Sequence, residues 1–548
     1  MSAENATELD MVTAHLALAE AFPDREALVQ GSRRLTWSEF EDRTGRLGRY
    51  LAGLGLGCHA ERSTLAGYES GEDHVGIFLY NCIEYLESMI GTMRARTVPF
   101  NINYRYGVDE LVHLLVDAGT KALIYHAAFA PMVAEVLPSL AGPVHLIQVA
   151  DDSGNGLLDG ALDYDEALAT APDAALPTSS PDDLFIIYTG GTTGMPKGVL
   201  WRQGDLFVSA HGGRNFRAGG REWDSVEEMV ESARRGGYRA LPAAPFMHAA
   251  AQWIALQALH AGGTVVLPEH AERFDAEDVV RVIADESVDV VQIVGDPFAV
   301  PLAEALRKSG KTSPLKVLAS GGTLLRQETK AQLAAFIPGL KIRDTMGSSE
   351  TGTQAQTTAD NRGGLKSIFE PGPGACVVDA TKTRLAEVDE VGWLAQAGRV
   401  PLGYLGDAEK TAATFPVMDG VRMSVPGDRA RLLADGTIEV LGRDSTTINT
   451  GGEKVYAQEV EGALITHPLI DDVLVVGRPS QRWGHEVVAV VQLAPGTSLT
   501  LDEAAAHCEK HLASYKKPRA LIPVDAIRRT DAGKADYRWA TEIASAAS

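Results

Sequence analysis

Short apolar runs rich in Val and Ile recur from about Pro181 onward: LFIIY (184–188), TVVL (264–267), VDVVQIV (288–294) and LKVLAS (315–320). Between them, DAEDVVRVIADES (275–287) and RQETKAQLAAF (326–336) read as helices. Strands of this kind, interleaved with helices, predict parallel sheets covered by helical layers. Ahead of this region the chain is expected to open with short strands and an amphipathic helix. Thr36-Trp37-Ser38-Glu39 reads as a capping box, Phe40, Leu47, Tyr50 and Leu51 fall on one face, and Gly53 and Gly55 offer a stop.

The pattern changes near residue 443. A turn-rich GRDSTT is followed by a helical EVEGALITHP and two apolar strand candidates, DVLVVGR (472–478) and HEVVAVVQL (485–493). The predicted organisation is α/β, with a large body over 1–443 and a small α+β domain over 444–548. The Gly/Pro-rich GGLKSIFEPGPG (363–374) is expected to be a loop leading into a β-rich part.

Composition narrows the function. The chain has 548 residues, 45% apolar and 22% charged, which is ordinary for a globular protein. Lys and Arg number 50 against 73 Asp and Glu, a formal net charge of −23. That balance disfavours nucleic acid and anionic membranes as main partners, and an anionic substrate would need a locally basic site. Cys58, Cys82, Cys376 and Cys508 are scattered, suggesting neither a disulfide framework nor a zinc knuckle. The opening MSAENATELDM lacks the basic and apolar segments of a signal peptide, and the closing TEIASAAS is not a lipidation signal. No apolar stretch approaches the roughly 20 residues that span a bilayer. A cytoplasmic protein without stable membrane insertion is expected.

The strongest local signal is Tyr188-Thr-Gly-Gly-Thr-Thr-Gly-Met-Pro-Lys-Gly198, directly after the LFIIY strand. Gly190, Gly191 and Gly194 let the backbone fold tightly and present N–H groups, Thr189, Thr192 and Thr193 add hydroxyl donors, and Lys197 supplies charge. Such a loop suits a phosphate. It is not a Walker A loop, because Gly198 stands where Ser or Thr should follow the lysine.

This segment resembles the phosphate loop of the adenylate-forming superfamily: acyl-CoA synthetases, peptide-synthetase adenylation domains and beetle luciferases. Further motifs follow in family order, so the resemblance covers nearly the whole chain. It implies a body of two layered α/β subdomains plus a β-rich subdomain, with a mobile C-terminal domain. Met346-Gly347-Ser-Ser349-Glu350-Thr is similar to the family's Tyr-Gly-x-Thr-Glu, which implies that Ser349 contacts the adenylate phosphate and Glu350 holds Mg²⁺. Met346 replaces the usual aromatic residue. Pro426-Gly427-Asp428 resembles the Thr-Gly-Asp whose Asp binds the ribose hydroxyls, and Leu441-Gly-Arg443-Asp444 the motif ending the large domain, with Arg443 near the ribose. Ser445 falls at the hinge, where many relatives carry Asp or Lys. Gly451-Gly-Glu-Lys454 resembles the turn opening the small domain, and Arg529-Thr-Asp-Ala-Gly-Lys534 the loop whose lysine reaches the reacting carboxylate and α-phosphate. Catalytic roles thus fall to Lys534, Glu350 and Thr189. Taken singly, each residue has a plainer reading: Asp428 as a turn residue, Glu350 as a helix-start carboxylate, Lys534 as an exposed lysine.

The implied substrate is a carboxylic acid. Pro245-Phe-Met-His248-Ala-Ala-Ala251 matches the acyl-pocket position, making His248 a substrate-side candidate, with a satisfied core histidine as the alternative. No Asp lies there to pair an amino group, which disfavours an amino acid. Ser320, Gly321, Gly322 and Thr323 should follow a central strand and line the adenine and acyl site. Lys516, Lys517, Arg519, Arg528 and Arg529 form a basic cluster suited to the phosphates of coenzyme A, or else a solvated face. Trp201, Arg202 and Gln203 carry a closer likeness to actinobacterial fatty-acid and steroid-side-chain CoA ligases. The expected enzyme is therefore an acyl-CoA synthetase that uses ATP, Mg²⁺ and coenzyme A on a hydrophobic acid through an acyl-adenylate. Its competitor is an acyl-AMP ligase that loads the phosphopantetheine of a carrier protein. The oligomeric state stays open, with a homodimer among the options.

Overall fold

The computed structural model describes residues 8–190, 195–215, 218–310, 313–323, 325–358, 367–450, 453–480, 482–529 and 534–547. The chain forms two compact units, one of Met1–Gln354 with Gly398–Phe415 and the other of Ala355–Ala397 with Pro416–Ser548.

The first unit is built on two sheets. One runs, in order, Gly403–Tyr404, Lys197–Arg202, Leu184–Thr189, Val98–Asn101, His74–Phe78, Ala122–His126, His145–Val149 and Ala161–Asp163. Its strands are parallel from Leu184–Thr189 onward, and Lys197–Arg202 returns antiparallel to Leu184–Thr189. The other places Glu26–Gln30, Thr264–Leu267, Arg239–Pro242, Val290–Ile293, Val317–Gly321 and Lys341–Ser348 side by side, all parallel.

The unbroken apolar runs follow from burial on both faces. Leu28, Ala240 and Val265 face a core shared with Trp37, Phe40, Leu47 and Leu51 of the Trp37–Gly53 helix, while Val29, Leu241 and Val266 face another with Val279, Ile283 and Leu302. Ile77, Ile124 and Phe185 of the other sheet join the first of these cores. The helices of that core, Trp37–Gly53 and Ile83–Arg94 among them, therefore lie between the two sheets. The capping box at Thr36 forms as expected, with Thr36 Oγ1 accepting from the Glu39 N–H and Glu39 from the Thr36 N–H.

Two expectations need correction. The described chain opens with a helix, Met11–Ala21 capped by Asp10, rather than with strands. Its Met11, Val12, Ala14, Leu18 and Ala19 are all buried, so little one-sided pattern betrays it. The expected loop at 363–374 contains the strand Ser367–Pro371, paired with Ile438–Arg443 through Ile368↔Glu439 and Phe369↔Ile438. Residues 363–366 of that stretch lie outside the described residues.

In the second unit, Ala375–Val378, Val391–Ala397, Asp428–Leu432 and Ile438–Arg443 form an antiparallel sheet. A further sheet pairs Ile470–Ser480 with Gly484–Leu493, with Ala520–Val524 parallel to the latter. The helices Ala457–Leu464 and Leu501–Glu509 cover one face and Tyr537–Ala546 the other.

Glu461 is sealed within this fold. Its Oε1 accepts the Val475 N–H at 2.8 Å and its Oε2 the Tyr537 hydroxyl at 2.9 Å. Burial pushes its carboxyl up to about 7; the two donors and Arg529 oppose the rise and Asp472 adds to it. The folded pKa exceeds the free one, so this stability is full below the ordinary glutamate range near 4.5 and is lost as pH climbs through 7. Glu461→Gln is expected to flatten the fall in melting temperature between pH 5 and 8, a difference on the order of 3 kcal/mol. Thermal unfolding of both proteins across that range checks it.

Candidate active site

The Gly/Thr segment joins two antiparallel strands, with Thr189 opposite Lys197 and Tyr188 opposite Gly198. The two strands that flank it form a hairpin pair, Leu184–Thr189 with Lys197–Arg202. Gly198 sits in a tight spot, where a Cβ would lie 3.0 Å from the Tyr188 ring and 3.1 Å from Ile186. Gly191, Thr192, Thr193 and Gly194 lie outside the described residues; Thr189, Gly190 and Lys197 lie within them.

A side chain that sequence reasoning missed fixes the strand end. Asn101 is buried, donates to the Tyr188 carbonyl at 2.9 Å and to the Met247 carbonyl at 2.7 Å, and accepts the Tyr188 N–H at 2.9 Å. One amide thus ties the phosphate-loop strand to the Pro245–His248 segment. Asn81 does similar work, accepting from Phe246 N–H and donating to the Ala244 carbonyl at 2.9 Å, and Tyr85 and Gln252 both donate to the Phe246 carbonyl. Phe246 and Met247 point into the core, and His248 caps the Ala249–His260 helix at the margin of burial. Ala251 is buried.

Ser320 and Gly321, expected to follow the strand, are the last residues of Val317–Gly321, and Gly322 comes directly after it. Ser320 Oγ accepts the Gly295 N–H at 3.1 Å, and a Cβ on Gly321 would come within 2.9 Å of Thr345 Oγ1. Met346 and Gly347 close the neighbouring Lys341–Ser348 strand. Gly347 must stay bare, since a Cβ would lie 2.1 Å from the Gly352 carbonyl. The chain then turns: Ser348 N–H donates to Thr351 Oγ1 at 2.9 Å and Glu350 N–H to Ser348 Oγ at 3.2 Å. Glu350 therefore stands on a turn between strands, not at a helix start. Buried Trp201 ties this turn to the phosphate-loop hairpin, its Nε1–H reaching the Ser349 carbonyl at 2.8 Å.

The Gly398–Phe415 segment completes the cluster. Gly403–Tyr404 pairs with Leu200 and Val199, and Tyr404 donates its hydroxyl to Glu350 Oε1 at 3.0 Å. Asp407 Oδ2 lies 3.3 Å from Lys197 Nζ, and its Oδ1 accepts the Lys410 N–H at 2.9 Å. Lys410 Nζ stands 4.3 Å from the Tyr404 ring centroid. Burial, then the adjacent Lys197, pull the Lys410 pKa below the ordinary lysine value, while Glu350 and Asp407 oppose that shift. The structure thus brings the predicted Lys197 and Glu350 into one charged group, with Tyr404, Asp407 and Lys410 added. Among the described residues no group of three or more His, Cys, Asp or Glu side chains could enclose a metal ion. The single carboxylate of Glu350 does fit Mg²⁺, which takes few protein ligands and shares the rest with phosphate oxygens and water.

The remaining predicted residues belong to the second unit. Asp428 and Arg443 lie opposite each other on paired strands, with an ion pair of 3.2 Å. Next to them Arg429 binds Asp444 at 2.9 Å and lies 3.4 Å from the Trp393 ring centroid. Lys454 sits on Glu453–Tyr456 opposite Asn449; Gly451 and Gly452 lie outside the described residues. Lys534 is exposed just ahead of the Tyr537–Ala546 helix, while 530–533 lie outside the described residues. The basic cluster is largely neutralised. Lys516 pairs with Glu459 at 2.6 Å, Lys517 with Glu509, Arg528 with Asp536 at 3.3 Å and Arg529 with Asp472 at 2.7 Å. Arg519 lies 4.1 Å from the Trp483 ring centroid.

Comparison with known proteins gives the same outline. Residues 17–405 match the family model "AMP-binding enzyme", and residues 459–534 match "AMP-binding enzyme C-terminal domain". The chain is 50% identical to the medium-chain acyl-CoA ligase Mig of Mycobacterium avium, covering 96% of this chain and 97% of that one. It is 40% identical to a 3-oxocholest-4-en-26-oate–CoA ligase of Rhodococcus rhodochrous, covering 95% and 93%. Among solved structures, an anthranilate CoA ligase bound to anthranoyl-AMP superposes with a TM-score of 0.80 at 21% identity, covering 99% of both chains. Among the described residues no helix is long and apolar enough to cross a membrane.

Asn101→Leu keeps the size of the side chain and removes its hydrogen bonds to Tyr188 and Met247. The expected loss of unfolding free energy in urea titration is about 2–4 kcal/mol. A midpoint equal to wild type would show that the strand end is held by other means.

Proposed function

The chain belongs to the AMP-binding enzyme family, and from that premise we propose how its residues divide the work. It is an AMP-forming acyl-CoA ligase, which uses ATP and coenzyme A. We infer that its acid is hydrophobic, a medium-chain fatty acid or a steroid side-chain acid. The carrying observation is the 50% identity with a medium-chain acyl-CoA ligase along 96% of the chain, supported by the 40% identity with a steroid-acid ligase.

The chemistry begins from a poor electrophile. A carboxylate oxygen attacks the α-phosphorus of ATP, a P–O bond forms, the α–β bond breaks, and pyrophosphate leaves. The acid is now a mixed anhydride, and a thiolate can displace AMP from its carbonyl carbon. The first step crowds negative charge at the α-phosphate, so donors and cations placed there beforehand lower its barrier. In our reading Thr189, Lys197 and the Gly/Thr segment bind the phosphates, and Ser349 and Glu350 stand at the α-phosphate. Glu350 is the residue to hold Mg²⁺, which when bound would draw charge from the phosphate oxygens. The hydrogen bond from Tyr404 occupies one Glu350 oxygen, so the turn presents the other. Asp428 and Arg443 serve the ribose, and Ser320–Gly322 with His248 the adenine and acyl side.

Residues 444–548 are read as the domain that carries Lys534, with Ser445 as its pivot, and Lys534 as the cation that offsets the approaching carboxylate. We place the enzyme in the cytoplasm, where ATP and coenzyme A are abundant. Coenzyme A rather than a carrier protein is the favoured acceptor because the named relatives are CoA ligases.

AMP release measured over an acid series, from short chains to sterol acids, tests the reading. Coenzyme A-dependent turnover should peak on medium-chain or sterol acids; turnover peaking on short polar acids would refute that substrate class. Lys534→Ala is expected to lose carboxylate-dependent ATP–pyrophosphate exchange by about a hundredfold or more. The same variant should still pass preformed acyl-adenylate to coenzyme A. Equal loss of both half-reactions would remove Lys534 from its assigned role.

A further inference from the structure

Beside the loop lysine stands a second cation, Lys410, to which the motifs above assign no task. We propose that Lys410 is a second ligand for the nucleotide's polyphosphate, sharing with Lys197 the two phosphates that leave as pyrophosphate. The inference rests on the adenylation reading above and adds a residue to its anion site.

Three features converge on it. First, Lys410 is built into the site by the chain around it: its N–H is held by Asp407 at 2.9 Å, and its ammonium stands 4.3 Å from the Tyr404 ring centroid. Tyr404 in turn donates to Glu350 at 3.0 Å, so the ring that carries Lys410 over its face also holds the metal-ligand candidate through its hydroxyl. The ring's placement is fixed by its own backbone, since the Tyr404 N–H donates to Thr411 Oγ1 at 2.9 Å and Gly403 has no space for a Cβ against Thr411. Second, Asp407 links the two lysines: its Oδ2 lies 3.3 Å from Lys197 Nζ and its Oδ1 accepts the Lys410 main-chain N–H at 2.9 Å, and Lys197 is close enough to Lys410 to lower its pKa. Like charges held this close repel each other, and a ligand with several adjacent anionic oxygens relieves the repulsion better than one carboxylate can. Third, the Lys197–Asp407 contact is long at 3.3 Å, with the two side chains 44% and 36% exposed, so phosphate can displace it at small cost.

Asp407 therefore competes with the ligand, and the proposal predicts opposite signs for two neighbouring substitutions. Lys410→Met keeps the stem and removes the charge. Asp407→Asn removes the competitor and keeps an oxygen for the Lys410 N–H.

The test is calorimetric binding of Mg²⁺–pyrophosphate, Mg²⁺–ATP and AMP to the full chain, with no turnover involved. Lys410→Met, and Lys410→Gln as a second neutral variant, should weaken pyrophosphate and ATP by about tenfold and leave AMP unchanged. Lys410→Arg should retain most of the affinity, and Asp407→Asn should tighten pyrophosphate severalfold. Wild-type affinity for pyrophosphate in both neutral variants would overturn the proposal, as would an equal loss for AMP, which has no β-phosphate. If the wild-type chain binds neither ATP nor AMP, the adenylation reading fails as well. Normal nucleotide binding with no effect of Lys410 would sink this inference alone.

Discussion

Two anions must meet for this reaction to begin, and the chain that gathers them is itself strongly acidic. Most of its cations are spoken for. Arg202 is held by Glu8, Asp182 and Asp205, Arg399 by Glu8, Asp205 and Glu222, and Arg96 by Glu61 and Asp183. These arginines are partly or largely buried, and drawing one away would strand carboxylates in a poorly solvated place. Lys197 is in a different position, half exposed and facing Asp407 at a distance that water and salt can weaken. Arginines such as these are locked by several carboxylates, whereas Lys197 is held by a single longer contact.

The same distinction runs through the second unit. Arg429 is fastened between Asp444 and the face of Trp393, while Arg443, one residue before Asp444, meets Asp428 across a strand pair. Arg429 thereby anchors the chain immediately ahead of Ser445. Asp444 N–H adds a bond to the Gly427 carbonyl at 3.0 Å. In that small sheet the residues expected to read the ribose and those expected to set a pivot are held by one set of contacts.

Much of this was legible in the sequence because it is local. The runs LFIIY, TVVL and LKVLAS became strands since their apolar residues need cover on both faces. Thr36 and Glu39 lie three residues apart and cap each other without outside help. What stayed hidden depends on contacts between distant positions. Asn101 meets Tyr188 and Met247 across 87 and 146 residues, and Tyr404 meets Glu350 across 54. An isolated Asn in an apolar strand, the VPFN of 98–101, was the available signal for the first, since a buried amide needs partners. The pairing of the basic run near residue 516 was hidden for the same reason: its carboxylate partners, Glu459, Glu509 and Asp472 among them, lie elsewhere in the chain.

The first unit is not continuous in the chain: its last piece, Gly398–Phe415, is separated from the rest by about forty residues that belong to the other unit. During synthesis on a ribosome, Glu350 emerges well before Tyr404, and Glu8 long before Arg399. At about 5–20 residues per second, several seconds pass in which the larger unit lacks its final edge strand. Nascent chains must therefore tolerate an open sheet edge and unpaired charges while the intervening segment is made. Vectorial folding from the N-terminus is barred from completing either unit in strict order, and chaperone demand should concentrate in that interval.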